Sequence, residues 1–265
     1  VKTSVALDNI NRLAEGKHEN PAEVLGPHEV LDGSRRALAV RAWLPHGKQA
    51  WVLDAAHQDS PRPMRRIHPS GLFEAICPMR TDRSPSDYQL RVTDQHGNEN
   101  IMHDPYAFLP VLTDYDRYLL NEGTHWQSYD KLGAHARTVD GVQGMNFVVW
   151  APNANGVSLI GDFNSWDARR HPMRKHIPSG FWELFVPGMG PKQIYKYRIQ
   201  HAGGVLDKAD PYGFAAELPP RTASLTWDLE SYQWSDAEYM SKLQENNRLD
   251  APHSVYEIHL GSWRR

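Results

Sequence analysis

One loop of this 265-residue chain sets an aromatic ring among side chains suited to sugar recognition: Gly161-Asp162-Phe163-Asn164-Ser165-Trp166-Asp167. A sugar ring presents a face of C–H bonds that stacks on an indole, while its hydroxyls need amide and charged partners at the rim. Trp166 stands among polar Asn164, Ser165 and Asp167 and is expected at an exposed loop tip, with Asn164 as an amide partner. The alternative is that the ring packs against the edge of its domain, since large aromatics are mostly buried. No other chemistry is spelled out. Nucleophilic triads, zinc-ligand spacings and phosphate-cradling glycine loops are absent, and the fourteen histidines include no HxxxH or HExxH pair. No two acids can be placed as an acid/base pair. The chain is expected to carry no catalytic residue, no metal and no cofactor.

The loop belongs to the second of two copies of one pattern. LxEGxH at Leu13–His18 returns at Leu120–His125, LGPH at 25–28 as LGAH at 132–135, and VRAWLP at 40–45 as FVVWAP at 147–152. PMRRIHPSGLFEAICP at 63–78 becomes PMRKHIPSGFWELFVP at 172–187, and DPYAF at 104–108 becomes DPYGF at 210–214. The offsets of 106 to 109 residues are far too long for a solenoid repeat and imply two tandem domains. Positions that persist are scaffold; positions that differ are candidates for specialisation. Trp166 maps near His57–Asp59, where no aromatic stands, and Lys196 maps to Gln89. Trp43, Trp150 and Trp182 recur or alternate as core residues and read as structural. His28 and His135 recur at equivalent places and suit a shared turn or capping role.

A formal net charge of −3 with no basic stripe argues against a nucleic-acid partner. No apolar run approaches the ~20 residues that span a bilayer, and no export signal stands at the start. The single cysteine, Cys77, matches Val186 in the second copy, so it reads as a small buried apolar residue in a reducing compartment. A cytoplasmic monomer without a membrane partner is expected.

Each copy starts with a helical preface. Leu7, Ile10, Leu13 and Ala14 fall at helical spacing and Gly16 closes the helix; Tyr115 to Gly133 repeats the layout. The period then becomes two. Ala37–Leu44, Ala50–Leu53, Leu72–Cys77 and Tyr88–Thr93 read as strands, as do Met145–Trp150, Gly156–Ile160, Phe181–Val186 and Ile194–Gln200, with turn residues between them as in an antiparallel sandwich. Alternation puts Trp182, Leu184 and Val186 on one face of their strand. The fold class expected is all-β, with two tandem immunoglobulin-like β-sandwiches over residues 1–112 and 113–230. Residues 231–265 hold a polar helical connector and then the apolar run Ser254–Trp263, read as a buried parallel strand whose neighbours lie beyond residue 265.

GDFNSWD, with FWELFVPG, QIYKYRI and ADPYGF, resembles the glycogen-binding type of carbohydrate-binding module found ahead of α-amylase superfamily catalytic barrels. The closing VYEIHLGSWRR at 255–265 resembles the first strand of the (β/α)8 barrel of bacterial 1,4-α-glucan (glycogen) branching enzymes. Those enzymes carry an extra N-terminal domain related to the module, which would account for copy one. The resemblance implies an enzyme that cleaves an α-1,4-glucan chain and transfers it to a 6-hydroxyl through a glycosyl-enzyme intermediate. The aspartate and glutamate for that chemistry belong to later barrel strands and match no residue here. It also implies α-glucan (glycogen, amylose, maltooligosaccharides) as the partner, with Trp166 and Lys196 in contact with it. The family's second tryptophan is missing: His201–Leu206 holds no aromatic. A freestanding α-glucan-binding protein, or the front of a debranching or trehalose-releasing hydrolase, is the alternative reading.

Overall fold

The computed structural model describes residues 5–54, 57–78, 87–229, 232–250 and 252–263. Copy one opens with α1 (Leu7–Ala14), which buries Ile10 and Leu13 and ends at Gly16 in the left-handed region, φ +69°. There follow β1 (Gly26–Asp32), β2 (Arg35–Trp43), β3 (Gly47–Asp54), β4 (His57–Pro63), β5 (Arg65–His68), β6 (Leu72–Pro78), β7 (Tyr88–Asp94) and β8 (Glu99–Met102). They form two antiparallel sheets, ordered β1-β2-β6-β5 and β4-β3-β7-β8. Val40, Phe73, Ala75 and Cys77 from one sheet meet Val52 and Leu90 from the other in a single core. Cys77 is buried, as its correspondence with Val186 predicts.

Copy two repeats the plan. Helix α2 (Asp114–Glu122) starts from a capping box in which Thr113 and Asp116 satisfy each other's backbone N–H, and ends at Gly123 with φ +72°. β9 (Gly133–Val139), β10 (Val142–Trp150), β12 (Arg174–His176) and β13 (Phe181–Pro187) make the sheet β9-β10-β13-β12. β11 (Gly156–Gly161), β14 (Ile194–His201), β15 (Gly204–Lys208), β16 (Ala215–Ala216) and β17 (Ser224–Leu225) make the other, in the order β11-β14-β17-β16, with β15 also paired to β14. Trp182, Leu184 and Val186 point into the core with Phe147, Leu159 and Tyr197, on the face that the alternation assigns. The His28 and His135 rings do close the same turn in each copy: each Nε2 lies 3.0 Å from the carbonyl three residues back, Leu25 and Leu132.

The opposite face of β13 is buried as well, which period-two reasoning does not show. Phe185 stacks edge-on against Phe108 at 5.1 Å and joins copy one's core. Glu183 lies beneath the segment that links the copies. Its Oε1 accepts from the N–H groups of Val111 (2.7 Å) and Leu112 (3.0 Å) and from Asn146 Nδ2 (3.0 Å), and its Oε2 faces His176 Nε2 at 2.7 Å. The α1 end of copy one abuts copy two through Lys175 Nζ to Glu19 (2.7 Å) and Gln200 Nε2 to the Glu15 carbonyl (3.0 Å). The two sandwiches therefore form one compact unit, Val1–Asp228.

Leu229–Arg265 is a second unit. It contains α3 (Ala237–Asn246), the expected polar connector helix, and one helical turn, α4 (Leu260–Trp263). The strand expected at Ser254–Trp263 does not form here: residues 252–259 join no sheet. A strand exists through its ladder, and the described residues of this unit supply no neighbour to pair with. No helix among the described residues is long and apolar enough to cross a membrane.

The structure also corrects the reading of one tryptophan. Trp43 and Trp182 are core residues at 4% and 0% exposure, but Trp150 is 59% exposed.

Glu183→Ala leaves buried N–H donors without an acceptor. It is expected to lower the unfolding free energy by about 3–5 kcal/mol, measured by chemical denaturation. A loss below about 1 kcal/mol would mean that the inter-copy segment is held by apolar packing alone.

Candidate functional site

The loop carrying Trp166 leaves β11 at Gly161. A side chain at Gly161 would meet the Ile194 carbonyl at 2.1 Å, so the backbones of β11 and β14 touch only because this residue is glycine. Asp162–Asn164 then form one 3-10 turn. Asn164 is fully buried and its amide is consumed inside the loop. Its Oδ1 accepts from Gly161 N–H (3.0 Å), and its Nδ2 donates to the Leu159 carbonyl (2.9 Å) and lies 3.0 Å from His171 Nδ1. Asn164 is thus the loop's internal brace, not a rim residue; it faces inward because Gly161 and Leu159 are the polar backbone groups that the turn leaves open.

Ser165 and Trp166 follow with φ of +57° and +59°, two successive non-glycine residues in the left-handed region. That conformation costs of order 1 kcal/mol or more per residue and is kept only where surroundings enforce it. Here Trp166 N–H donates to the Gly161 carbonyl (2.9 Å), and its indole Nε1 donates to Asp162 Oδ1 (2.8 Å). The half-buried indole has its polar atom tethered, so its remaining asset is ring surface. Asp167 anchors the far side, accepting from Arg169 Nε (2.9 Å) and meeting His46 Nε2 of copy one at 3.0 Å. Burial works against its charge, but the Arg169 hydrogen bonds prevail and hold its carboxyl below the usual range.

Lys196 lies on β14 directly opposite Ile160, the residue before Gly161. Trp166 and Lys196 therefore sit at the same end of the β11–β14 pair. The Lys196 ammonium is 2.8 Å from Thr222 Oγ1, and two residues along β14 Arg198 forks onto Asp207 at 2.7 and 2.8 Å. Below, the phenols of Tyr195 and Tyr197 both donate to Asp210 Oδ2 (2.7 and 2.9 Å), which fixes β14 from the core side. Copy one repeats half of this brace, with Tyr88 donating to Asp104 at 2.9 Å. At the Trp166 position it does something else: β4 pairs antiparallel with β3, with a register shift between Val52 and Asp54. Among the described residues no group of His, Cys, Asp and Glu could hold a metal ion.

Comparison with known proteins meets this geometry at both copies. Residues 131–213 match carbohydrate-binding module 48 (isoamylase N-terminal domain), and residues 6–106 match the N-terminal domain of alpha-1,4-glucan branching enzyme GlgB. Over 266 aligned residues, all of this chain, the 1,4-alpha-glucan branching enzyme GlgB of Rhodopirellula baltica is 44% identical. Those of Paramagnetospirillum magneticum and Rubrobacter xylanophilus are 47% and 48% identical over 98% and 97% of the chain. Along its whole length the chain is similar to GlgB branching enzymes. It spans about a third of the length of these relatives: 36%, 34% and 34%.

Within this GlgB-type region, the structure brings Trp166 and Lys196 to one sheet end and assigns Asn164 to support. Sequence reasoning missed Asp162 and Thr222, which tether the two. Asp162 has a local signal, a carboxylate four residues before an indole; Thr222 has none, being brought to Lys196 by β17 across 26 residues. His171 was missed too. Desolvation, with the Arg170 guanidinium second, pulls its pKa down to about 3, so the ring is neutral and its Nδ1 accepts from Asn164.

Asn164→Ala is expected to cost about 1–3 kcal/mol by orphaning the Gly161 N–H and Leu159 carbonyl, read as a lowered denaturation midpoint. His171 adds a pH signature. Between its folded pKa of about 3 and its ordinary value of 6.5, the unfolded state binds more protons. Stability from this group is therefore complete above pH 6.5 and declines as pH falls towards 3. Denaturation midpoints from pH 7 to 4 should fall less steeply in His171→Gln than in the parent; parallel slopes would refute the assignment.

Proposed function

We propose that this chain is the glucan-handling N-terminal region of a 1,4-α-glucan branching enzyme, whose longer form cleaves α-1,4-glucan chains and rejoins them as α-1,6 branches. The reaction's carboxylates belong to the part of the family's length that this chain does not span. In the second sandwich the Trp166 ring stacks on a glucosyl face and the Lys196 ammonium hydrogen-bonds a hydroxyl. The observation that carries this reading is the strained, doubly tethered presentation of Trp166: left-handed backbone, indole N–H held by Asp162, ring half-exposed. A core residue would not need that loop, and copy one does without it.

The hairpin that would hold a second platform is Gly204–Lys208. It offers only Val205 and Leu206, 57% and 44% exposed. Affinity at this end is therefore modest, resting on one stack. Copy one orients the module, as its contacts through Phe108, Glu19 and His46 support. The relatives named above favour branching over the debranching alternative.

Trp166→Ala is expected to weaken maltoheptaose binding about tenfold, as one lost stack and its ordering imply, and to leave the melting temperature nearly unchanged. Calorimetric titration paired with a thermal melt tests both. Unchanged affinity, or a stability loss typical of a core tryptophan, would return the ring to a packing role.

A further inference from the structure

The duplication supplies an internal comparison at Trp150. In copy one the preface helix closes over the equivalent residue: Ile10, Leu13, Val24 and Leu25 pack on Trp43 and Leu72, with Ala14 and Tyr106 alongside. Copy two keeps the frame, with Leu120 for Leu13, Leu132 for Leu25, Phe181 for Leu72 and Tyr212 for Tyr106. It changes the cover. Where copy one has Ile10, Ala14 and Val24, copy two has Arg117, Asn121 and Lys131. Arg117 turns to Asp114 and Lys131 to Asp116, along the helix instead of over the ring. The tryptophan stays and its apolar lid is gone.

What remains is a groove of about 480 Å³, with Trp150, Phe181 and Tyr212 as aromatic lining and Asn121, His125 and Ser128 among its polar residues. The volume lies within the ~300–1,000 Å³ of small-ligand sites. Trp150 is pinned, its Nε1 donating to the Ser179 carbonyl at 3.2 Å, so its ring is presented in one orientation. His125 is held by Asp116 through Nε2 at 3.3 Å, and its buried Nδ1 has no hydrogen-bond partner. An aromatic floor with amide, imidazole and hydroxyl groups around it is the chemistry that a neutral sugar chain requires. A protein partner would favour the opposite exchange, because interface centres are depleted of charge and rich in apolar groups.

We infer that the groove between α2 and β10 is a second α-glucan site of this chain, with Trp150 as its stacking platform, separate from the Trp166 loop. It rests on the reading of the chain as α-glucan-binding. It also answers the missing second tryptophan: the second platform is on the other sheet of the same sandwich.

The test is a maltoheptaose titration of the full 265-residue chain, followed by the indole N–H resonances, with those of Trp150 and Trp166 assigned from Trp→Phe variants. Both resonances should move, and that of Trp150 should still move in Trp166→Ala. Trp150→Ala should weaken the residual binding about fivefold, the effect of one lost stack, with the melting temperature within about 2 °C of the parent. A Trp150 resonance that stays fixed at saturation while that of Trp166 moves would overturn this site and leave the first standing. If only Trp150 responds, this site stands and the Trp166 reading falls; if neither responds, both fall. A large loss of stability in Trp150→Ala, without loss of affinity in Trp150→Phe, would also overturn it by showing a structural ring.

Discussion

Glu183 decides how the two copies relate. A carboxylate on the outer face of β13 would ordinarily sit in water, yet here it accepts three N–H donors on one oxygen and faces a histidine nitrogen with the other. Two of those donors, the N–H groups of Val111 and Leu112, belong to the segment that leaves copy one. Fixing them lays that segment across copy two's sheet and seats Leu112 among Leu132, Val148 and Phe181. The same path lets Phe108 meet Phe185. In copy one the residue equivalent to Glu183 is Glu74, paired with Arg41 at 3.0 Å, and the equivalent of Phe185 is Ile76, 41% exposed. One sequence pattern thus yields a buried ion pair beside an exposed isoleucine in one copy and an inter-copy joint in the other.

From that joint follows a division of labour. Copy one spends its apolar residues on closure: α1 seals Trp43, and its α1 end and the loop at His46 rest against copy two. Copy two, already braced from one side, leaves its other edges available. Its strand β14 is locked from below by two tyrosines on Asp210, so the groups above it at Lys196 and Arg198 stand on a rigid base. The Trp166 loop is held by hydrogen bonds within itself and to Leu159, His171 and Arg169, with His46 of copy one against Asp167, which is how a strained backbone persists at a surface.

Alternation carried much of the fold. The inward placement of Trp182, Leu184, Val186, Phe73 and Cys77 was legible because a half-buried strand has period two, and the paired histidines were legible because they recur. Glu183 and Phe185 were not, since period two says which residues share a face and nothing about what a distant segment lays on it. Asn164 was read as a rim group because an amide in a polar loop looks the same whether it points out or in; only the open backbone groups at Leu159 and Gly161 distinguish the cases. Trp150 was misread by trusting the repeat. The corrective signal was present in the changes around it, Ile10 to Arg117 and Val24 to Lys131. Ser254–Trp263 is apolar enough for a strand, but a strand is a property of neighbours that this unit does not contain.

The contact between Gly16 and Gly156 shows how tightly the copies are fitted. A single added methyl group at Gly156 would lie 2.0 Å from the Gly16 carbonyl oxygen, closer than any side chain tolerates. Backbone meets backbone there, so no surface side chain can be trimmed or lengthened to adjust the fit. A carbohydrate module transplanted at its family boundary, residues 131–213, would leave behind Phe108, Val111 and Leu112 and carry bare patches at Phe185 and Glu183. Portability, the usual virtue of such modules, ends in this chain at the edge of the first sandwich.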